Sequence, residues 1–600
     1  MDYESCPNLA AMFFERAAER GDRPFLWAKR EGAYRSISWR EAAAQVSRLA
    51  RGLRALGVAK GDRVGLVAEN RPEWVIADFA IMAAGAITVP AYTTHTVEDH
   101  RHVLANSGAK AVILSTAALA HRVMPAADQV ATITSIITIE PPRSGQLSHA
   151  EVHLWEAVMT MGAEAPDEVA AWVGELRRDD IACLIYTSGT GGVPKGVMAT
   201  HANIFANCHG AYDLLKTIGL GDDVFLCFLP LSHSYEHTAG MMFPVSLGAE
   251  IYFAEGAETL AADMQEARPT IMTAVPRLYE TMHQRIQRSM ERQSGMRRRL
   301  FELALRLGKQ RLADPRSLGL GDRLLDLVAN LLVRRKVRQR FGGRLKAMVS
   351  GGAPLNADIG RFFVALGVRL LQGYGQTEAS PVVSVNPPMR IKIDTVGPPL
   401  RGVEVGVAED GEILVRGAGV MKGYWNDPEA TARALEGGWL HTGDIGEIDA
   451  DNYIRITDRK RDFIKNSGGD MVSPARVEGY LTLQPEIGQA MVYGDRRPYL
   501  VAVIVPGAEF LESFATRRGT RPELSALAGH SELQRLIGAA VARVNAELSP
   551  VERVRRFVIA RDAFTTTNGQ MTPTLKIKRH AIRQAYGDAL QELYEGRDGR

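Results

Sequence analysis

Cysteine is scarce in this sequence. Four occur, Cys6, Cys183, Cys208 and Cys227, and none forms a Cys-x-x-Cys pair. That usage argues against a disulfide framework and predicts reduced thiols in a cytoplasmic protein. Long apolar runs are missing too. No stretch of about 18 uninterrupted apolar residues occurs, so no transmembrane helix is expected. The opening, MDYESCPNLAAMFFERAAERGD, is acidic early and has no long apolar core, so it is not expected to be a signal peptide. A dominant charge is also lacking. The net charge of +3 over 600 residues predicts no global attraction to nucleic acid or to membrane. What remains, 46% hydrophobic and 24% charged, is ordinary for a soluble globular protein, and 600 residues predict several domains or one large domain with an appendage.

One stretch organises the rest. Tyr186–Thr200 reads YTSGTGGVPKGVMAT and follows the apolar run Ile181–Ile185, which is fit for a buried strand. Thr200, with His201, Ala202 and Asn203, reads as an N-cap and helix start. Gly189, Gly191, Gly192 and Gly196 let backbone N–H groups turn toward an anion. Thr187, Ser188 and Thr190 add hydroxyl donors and Lys195 adds a charge, which together make the chemistry of a polyphosphate cradle. It is not a Walker loop, because Pro194 precedes the lysine and Gly196 follows it where Ser or Thr is required. The plainer reading, a flexible glycine loop, carries less weight than the cradle even for the stretch by itself.

Around it the chain alternates. Ser38-Trp39-Arg40-Glu41 is a capping-box sequence, followed by Val46, Leu49, Leu53 and Leu56 at helical spacing. Strands are expected at Arg63–Ala68, Ala86–Val89 and Ala111–Ser115, with a helix around Trp74–Ala84. A second series is expected at Val224–Leu229, Glu250–Phe253, Lys346–Ser350 and Arg369–Gln372. This alternation predicts an α/β fold of layered, largely parallel sheets. After Thr395 the texture changes. Gly411–Arg416, Val420–Trp425 and Gly446–Thr457 read as β, giving a small β-barrel-like subdomain. Arg459–Ile464 is a charged interruption read as a linker. Beyond it, Leu500–Val505 and Ser531–Leu548 fit a small α+β domain. The expected organisation is therefore an N-terminal domain over 1–458, a hinge over 459–464 and a mobile C-terminal domain over 465–600.

Arg285–Arg344 stands apart, with 17 Lys/Arg against 5 Asp/Glu, a local balance of +12 that leaves −9 for the rest of the chain. Leu300, Leu303 and Leu307, then Leu324, Leu327 and Leu331, recur at helical spacing. Two readings stay open: a solvated helical insertion, or basic amphipathic helices that dock on an anionic membrane surface.

The loop YTSGTGGVPKG resembles the phosphate loop of the adenylate-forming enzymes, the superfamily of acyl-CoA synthetases, luciferases and peptide-synthetase adenylation domains. The family pattern is Tyr-Thr-Ser-Gly-Thr-Thr-Gly-x-Pro-Lys-Gly. The chain departs once, with Gly191 in place of a second threonine. Further motifs occur in the family's order. FLPLSH, ending at His233, resembles the segment bordering the acyl pocket. SGGAPL, with Gly352 and Ala353, resembles the adenine-binding turn. GYGQTE supplies Tyr374 to stack on a purine, Thr377 to donate to a phosphate and Glu378 as a hard oxygen ligand for Mg²⁺. Asp444 of Thr442-Gly443-Asp444 resembles the ribose-binding aspartate, Arg459 the arginine near the ribose, and Arg461 the hinge position. Gly468-Gly469-Asp470 resembles the turn that meets the pantetheine of coenzyme A, and Lys576 aligns with the catalytic lysine of the C-terminal domain. Alone, each motif has a plainer reading: a polar histidine, a surface glutamate, a Gly-Asp turn, a lysine in a basic tail.

The resemblance implies ATP, Mg²⁺ and coenzyme A, small-molecule partners without nucleic acid, and activation of an acid to an acyl-adenylate and then an acyl-CoA. The insertion and the Thr-Pro-Thr-Leu-Lys ending look like the long-chain fatty acyl-CoA synthetase branch. A tryptophan gate has no match, since Tyr235-Glu236-His237 lies there instead, so chain length stays open. So do homo-oligomerisation and reversible contact with the inner membrane face. The alternatives are a ligase delivering to a carrier-protein thiol, a P-loop phosphotransferase disfavoured by Gly196, and a non-catalytic membrane-binding protein.

Overall fold

The short apolar runs of the first part are buried on both faces, the mark of strands in the middle of a parallel sheet. In the computed structural model all four residues of Ile87–Pro90, Ala111–Leu114 and Ser135–Thr138 are buried. The structure describes every residue except 1, 144–147, 188–192, 257, 315, 461, 469, 573–575 and 596–600, and of Glu291 only the backbone. One seven-stranded sheet runs in the order Glu151–Leu154, Ser135–Thr138, Ala111–Leu114, Arg63–Val67, Ile87–Pro90, Ile181–Thr187, Lys195–Thr200. All its pairs are parallel except the last. An eight-stranded sheet runs Val382–Val385, Leu370–Gly375, Ala347–Ser350, Ile271–Ala274, Val224–Cys227, Glu250–Phe253, Pro24–Arg30, Ala33–Ser38, parallel within and antiparallel at both edges. Helices Trp39–Ala55 and Pro72–Ala83 belong to the main core, with Trp39, Leu49, Leu53, Trp74 and Phe79 buried. The capping box forms: the Ser38 hydroxyl accepts from Glu41 N–H at 3.2 Å and Glu41 accepts from Ser38 N–H at 2.7 Å.

The third sheet is an antiparallel meander of Val403–Val407, Glu412–Gly417, Leu440–Ile448 and Ile454–Arg459. Its apolar side shares a core with Val197, Ala379 and Val383, so it packs where the two large sheets meet. Val420–Trp425 differs from the expected strand. It is a strap whose backbone extends strand Lys195–Thr200: Met198 N–H donates to Gly423, Lys422 N–H to Met198 and Trp425 N–H to Gly196. The C-terminal sheet of Ile487–Tyr493, Leu500–Pro506 and Val554–Ile559 carries helices on both sides and has cores of its own.

The basic stretch folds into helices Pro276–Glu291, Gly295–Ala313 and Leu320–Ala329, a π-helical turn Asn330–Arg334, and helix Arg335–Arg340. Its two leucine series part company. Leu307 is fully buried and Leu300 packs against a core centred on Phe362, Phe363 and Tyr279. Leu324, Leu327 and Leu331 are exposed. Among the described residues no helix is long and apolar enough to cross a membrane.

Candidate active site

The glycine-rich stretch is flanked by two paired strands rather than by a strand and a helix. Ile181–Thr187 pairs antiparallel with Lys195–Thr200, bringing Thr187 opposite Lys195 at the mouth. Ser188, Gly189, Thr190, Gly191 and Gly192 lie outside the described residues. The Lys195 ammonium stands 3.4 Å from Asp427 Oδ2 and over the Tyr424 ring. The helix predicted to begin at Thr200 follows the second strand. Thr200 caps helix His201–Leu215 by exchanging hydrogen bonds with Asn203.

That helix holds the next part of the site. Buried Asn207 donates to the Ala379 carbonyl at 3.0 Å and accepts from Val382 N–H at 2.8 Å. It thereby pins the turn Thr377–Ala379 that follows strand Leu370–Gly375. A side chain at Gly375 would meet the Pro381 carbonyl at 1.9 Å, so only glycine lets the two backbones approach. The Thr377 and Ser234 hydroxyls lie 2.9 Å apart. Tyr424 from the strap donates its hydroxyl to Glu378 Oε1 at 2.9 Å.

A second group sits across the cleft. Asp444 and Arg459 face each other on neighbouring strands of the meander, with Arg459 Nε 3.1 Å from Asp444 Oδ1. The Tyr374 hydroxyl donates to Asp444 Oδ2 at 2.7 Å. Gly352 and Ala353 line the same cleft, and the ring of Tyr235 packs beneath Gly351 while its hydroxyl donates to the Val349 carbonyl at 3.0 Å. His233 Nδ1 accepts from Tyr235 N–H, which fixes the tautomer with the proton on Nε2. Burial, aided by the charge of Lys576, pushes its pKa down to about 3. Lys576 reaches in from the C-terminal unit. Burial first, then the Arg459 charge, pulls its pKa down to about 8, against the attraction of Asp444.

These groups share one cleft of about 2500 Å³. It continues along an apolar lining made by Ala211, Leu214 and Leu215 of helix His201–Leu215 with Phe225, Phe243, Ile271, Val385 and Leu400. Behind it Glu236 is buried, accepting from Thr273 at 2.5 Å and from Phe228 N–H at 3.1 Å, and burial pushes its carboxyl up to about 7. His237 turns away from the cleft to meet Asp78 at 3.0 Å, both side chains fully buried. Gly468 is not brought in: it is an exposed residue in the turn between Ile464–Lys465 and Met471–Val472. Gly469 and Arg461 lie outside the described residues. Sequence reasoning missed Asn207, Ser234, Tyr424 and Asp427. None stands in a glycine-rich or charged motif, and only the fold brings them together.

The sequence profile described as AMP-binding enzyme matches residues 13–425, and that of the AMP-binding enzyme C-terminal domain matches residues 461–598. The chain belongs to the AMP-binding enzyme family. Among relatives of this AMP-binding enzyme, Long-chain-fatty-acid–CoA ligase FadD15 of Mycobacterium tuberculosis is 35% identical over 98% of this chain and 97% of its own. The human Long-chain-fatty-acid–CoA ligase 6 is 30% identical over 99% of this chain and 87% of its own. Among solved structures, the A domain of the carboxylic acid reductase from Segniliparus rugosus, in complex with AMP and a co-purified carboxylic acid, superposes with a TM-score of 0.79. It is 23% identical, covering 98% of this chain and 94% of that one, a likeness of fold.

Proposed function

We propose that this AMP-binding enzyme is a long-chain fatty acid–CoA ligase that releases AMP and pyrophosphate. The observation that carries the reading is one cleft in which a C-terminal lysine, Lys576, meets the Tyr374–Asp444–Arg459 set beside a long apolar lining. A carboxylate is a poor acyl donor because its leaving group would be oxide. Attack of a carboxylate oxygen on the α-phosphorus of ATP forms an acyl-adenylate and expels pyrophosphate. A thiolate of coenzyme A then attacks the acyl carbon, and AMP leaves with the electron pair.

Little covalent work falls to the protein, so positioning and electrostatic stabilisation dominate. In this reading Asp444 accepts the ribose hydroxyls, its carboxylate held by Tyr374 and Arg459. Gly352, Ala353 and the Tyr374 ring border the adenine. Thr377 donates to the α-phosphate, and Lys576 sits between that phosphate and the substrate carboxylate. Thr187, Lys195 and the stretch between them, with Ser188, Gly189 and Thr190, take the outer phosphates. Neutral His233 borders the acyl carboxylate. Glu378 suits Mg²⁺: one oxygen is held by Tyr424, which leaves the other as a hard ligand. Among the described residues no three His, Cys, Asp or Glu side chains cluster as a metal site. When bound at Glu378, the ion would supply neutralising charge on the phosphates.

The apolar lining favours long chains, since each buried CH₂ contributes about 0.8 kcal/mol. The units 1–458 and 465–600, joined by 459–464 around Arg461, reorient between the two half-reactions and bring Gly468 and Gly469 to the pantetheine. Reversible contact with a membrane surface supplies the acid. Pyrophosphate release, measured with acids of increasing length with and without coenzyme A, tests the reading. Efficiency rising to fatty acids of about 12–18 carbons is expected. A maximum at acetate or benzoate, or a product delivered only to a carrier-protein thiol, overturns it.

A further inference from the structure

We propose that the outward face of Leu320–Arg340 is the surface by which the protein docks on an anionic lipid bilayer. The proposal deepens the reading of a fatty acid ligase in contact with a membrane, and for its purpose it rests on that reading.

The helical run is tied down from within. Its inner side buries Ala329 and Val333 in the core, and Arg334, 1% exposed, donates to the carbonyls of Ala365 at 2.8 Å and Ala304 at 2.9 Å, and to Asp326 Oδ1 at 2.6 Å. Asp326 also accepts from Arg311 at 3.0 Å. The outer side is apolar. Leu320, Leu324, Leu327 and Leu331 follow one another at helical spacing and are 86%, 65%, 56% and 52% exposed. Leu325, Val328 and Leu332 widen the stripe. Seven of the 16 exposed large hydrophobic side chains among the described residues therefore lie between Leu320 and Leu332, which marks a patch rather than the scatter of an ordinary surface. The stripe cannot simply roll inward. Rotation would strip the Ala365 and Ala304 carbonyls of their donor and pull Arg334 from Asp326.

Charge decides the occupant. Arg335 stands one turn beyond Leu331, and Arg316, Arg323 and Lys336 are exposed around the stripe. The acids within the helical run, Asp322 and Asp326, are half-buried and buried. A second copy seated here would set these cations against their own kind. A surface both apolar and anionic complements the stripe and its rim, and that is the surface of an anionic bilayer.

Co-sedimentation tests this with vesicles of phosphatidylcholine and phosphatidylglycerol in equal parts, against pure phosphatidylcholine, at low and high salt. The wild type is compared with Leu324→Gln/Leu331→Gln and with Arg335→Gln/Lys336→Gln. Wild type should sediment with the anionic vesicles, less at high salt, and each variant about tenfold more weakly. Circular dichroism and pyrophosphate release with octanoate, without vesicles, should be unchanged in both variants. If the double leucine variant misfolds, the single Leu324→Gln takes its place. Equal sedimentation of wild type and variants, sedimentation by none, or a leucine-dependent dimer without vesicles overturns the proposal. Absence of pyrophosphate release with every acid overturns the functional reading alone, because vesicle binding is read without substrate.

Discussion

Lys576 carries an ammonium whose pKa, lowered to about 8 by burial and by Arg459, lies in the range of ordinary assays. The group is charged below about 8 and neutral above it, so a step that needs the cation slows as pH rises through that value. Adenylation should show this alkaline limb, and Lys576→Arg, which stays charged, should shift it upward. Lys576→Ala should slow adenylation about 10²–10³-fold, the size of losing one preorganised electrostatic group. It should leave thioester formation from pre-made acyl-adenylate largely intact. Equal loss in both half-reactions would show that the role is wrong. Tyr424 acts at the same scale through Glu378. Tyr424→Phe removes one donor to a carboxylate and should raise the half-saturating Mg²⁺ concentration about tenfold. A titration of activity against Mg²⁺ at saturating ATP reads this, and an unchanged midpoint would remove Tyr424 from the site. Glu236 has no contact with the proposed reacting atoms, yet its carboxyl rises from an ordinary value of 4.5 to about 7. The folded state thus holds a proton that the unfolded chain loses, and stability falls as pH rises through that window. Glu236→Gln should flatten that slope in urea unfolding followed from pH 4.5 to 7.

At the scale of elements, two polar residues hold helices in place from within. Asn207 ties helix His201–Leu215 to the turn bearing Glu378. Arg334 ties the run Leu320–Arg340 to helices Gly295–Ala313 and Ala357–Ala365. Arg334→Met leaves two carbonyls without their donor and Asp326 with Arg311 alone. It should destabilise the large domain by about 3–5 kcal/mol, as breaking a buried pair does. Chemical denaturation followed by tryptophan fluorescence measures it. A cost near zero would mean that the leucine stripe is free to turn inward.

For the whole molecule, the proposed function has the orientation of the C-terminal unit decide which half-reaction proceeds. Helix Pro276–Glu291 of the large unit touches it: Gln284 donates to the Thr482 carbonyl at 3.2 Å, and Arg288 reaches the Pro485 carbonyl at 3.2 Å and pairs with Glu509. These contacts accompany the arrangement in which Lys576 lies in the cleft. Arg288→Ala should therefore slow adenylation about 2–5-fold, the scale of a partly exposed ion pair, and spare the thioester step. Single-turnover measurement of each half-reaction separates the two, and equal slowing would assign Arg288 a general structural role.

Much of this protein was legible in short contiguous stretches, because local physics governs them. The Ser38–Glu41 capping box, the Thr200 cap and the strand read at Ala111–Ser115 act through neighbours in the chain; the caps form as read and the strand spans Ala111–Leu114. Motifs such as Tyr374–Glu378 and Thr442–Asp444 are compact enough to carry the resemblance to a family. What depends on distant partners was not legible. Lys195–Thr200 is too short to declare itself a strand without Ile181–Thr187 beside it, and Val420–Trp425 is a strap only because Lys195–Thr200 offers an edge. The apolar lining draws on segments from Ala211 to Leu400, so no window of sequence contains it. Periodicity put Leu324, Leu327 and Leu331 on one side of a helix but not on the inner or the outer side. The tertiary structure decided that, because Ala329 and Val333 pack into the core and Arg334 is buried to donate to the Ala365 and Ala304 carbonyls, which leaves the leucines facing the solvent.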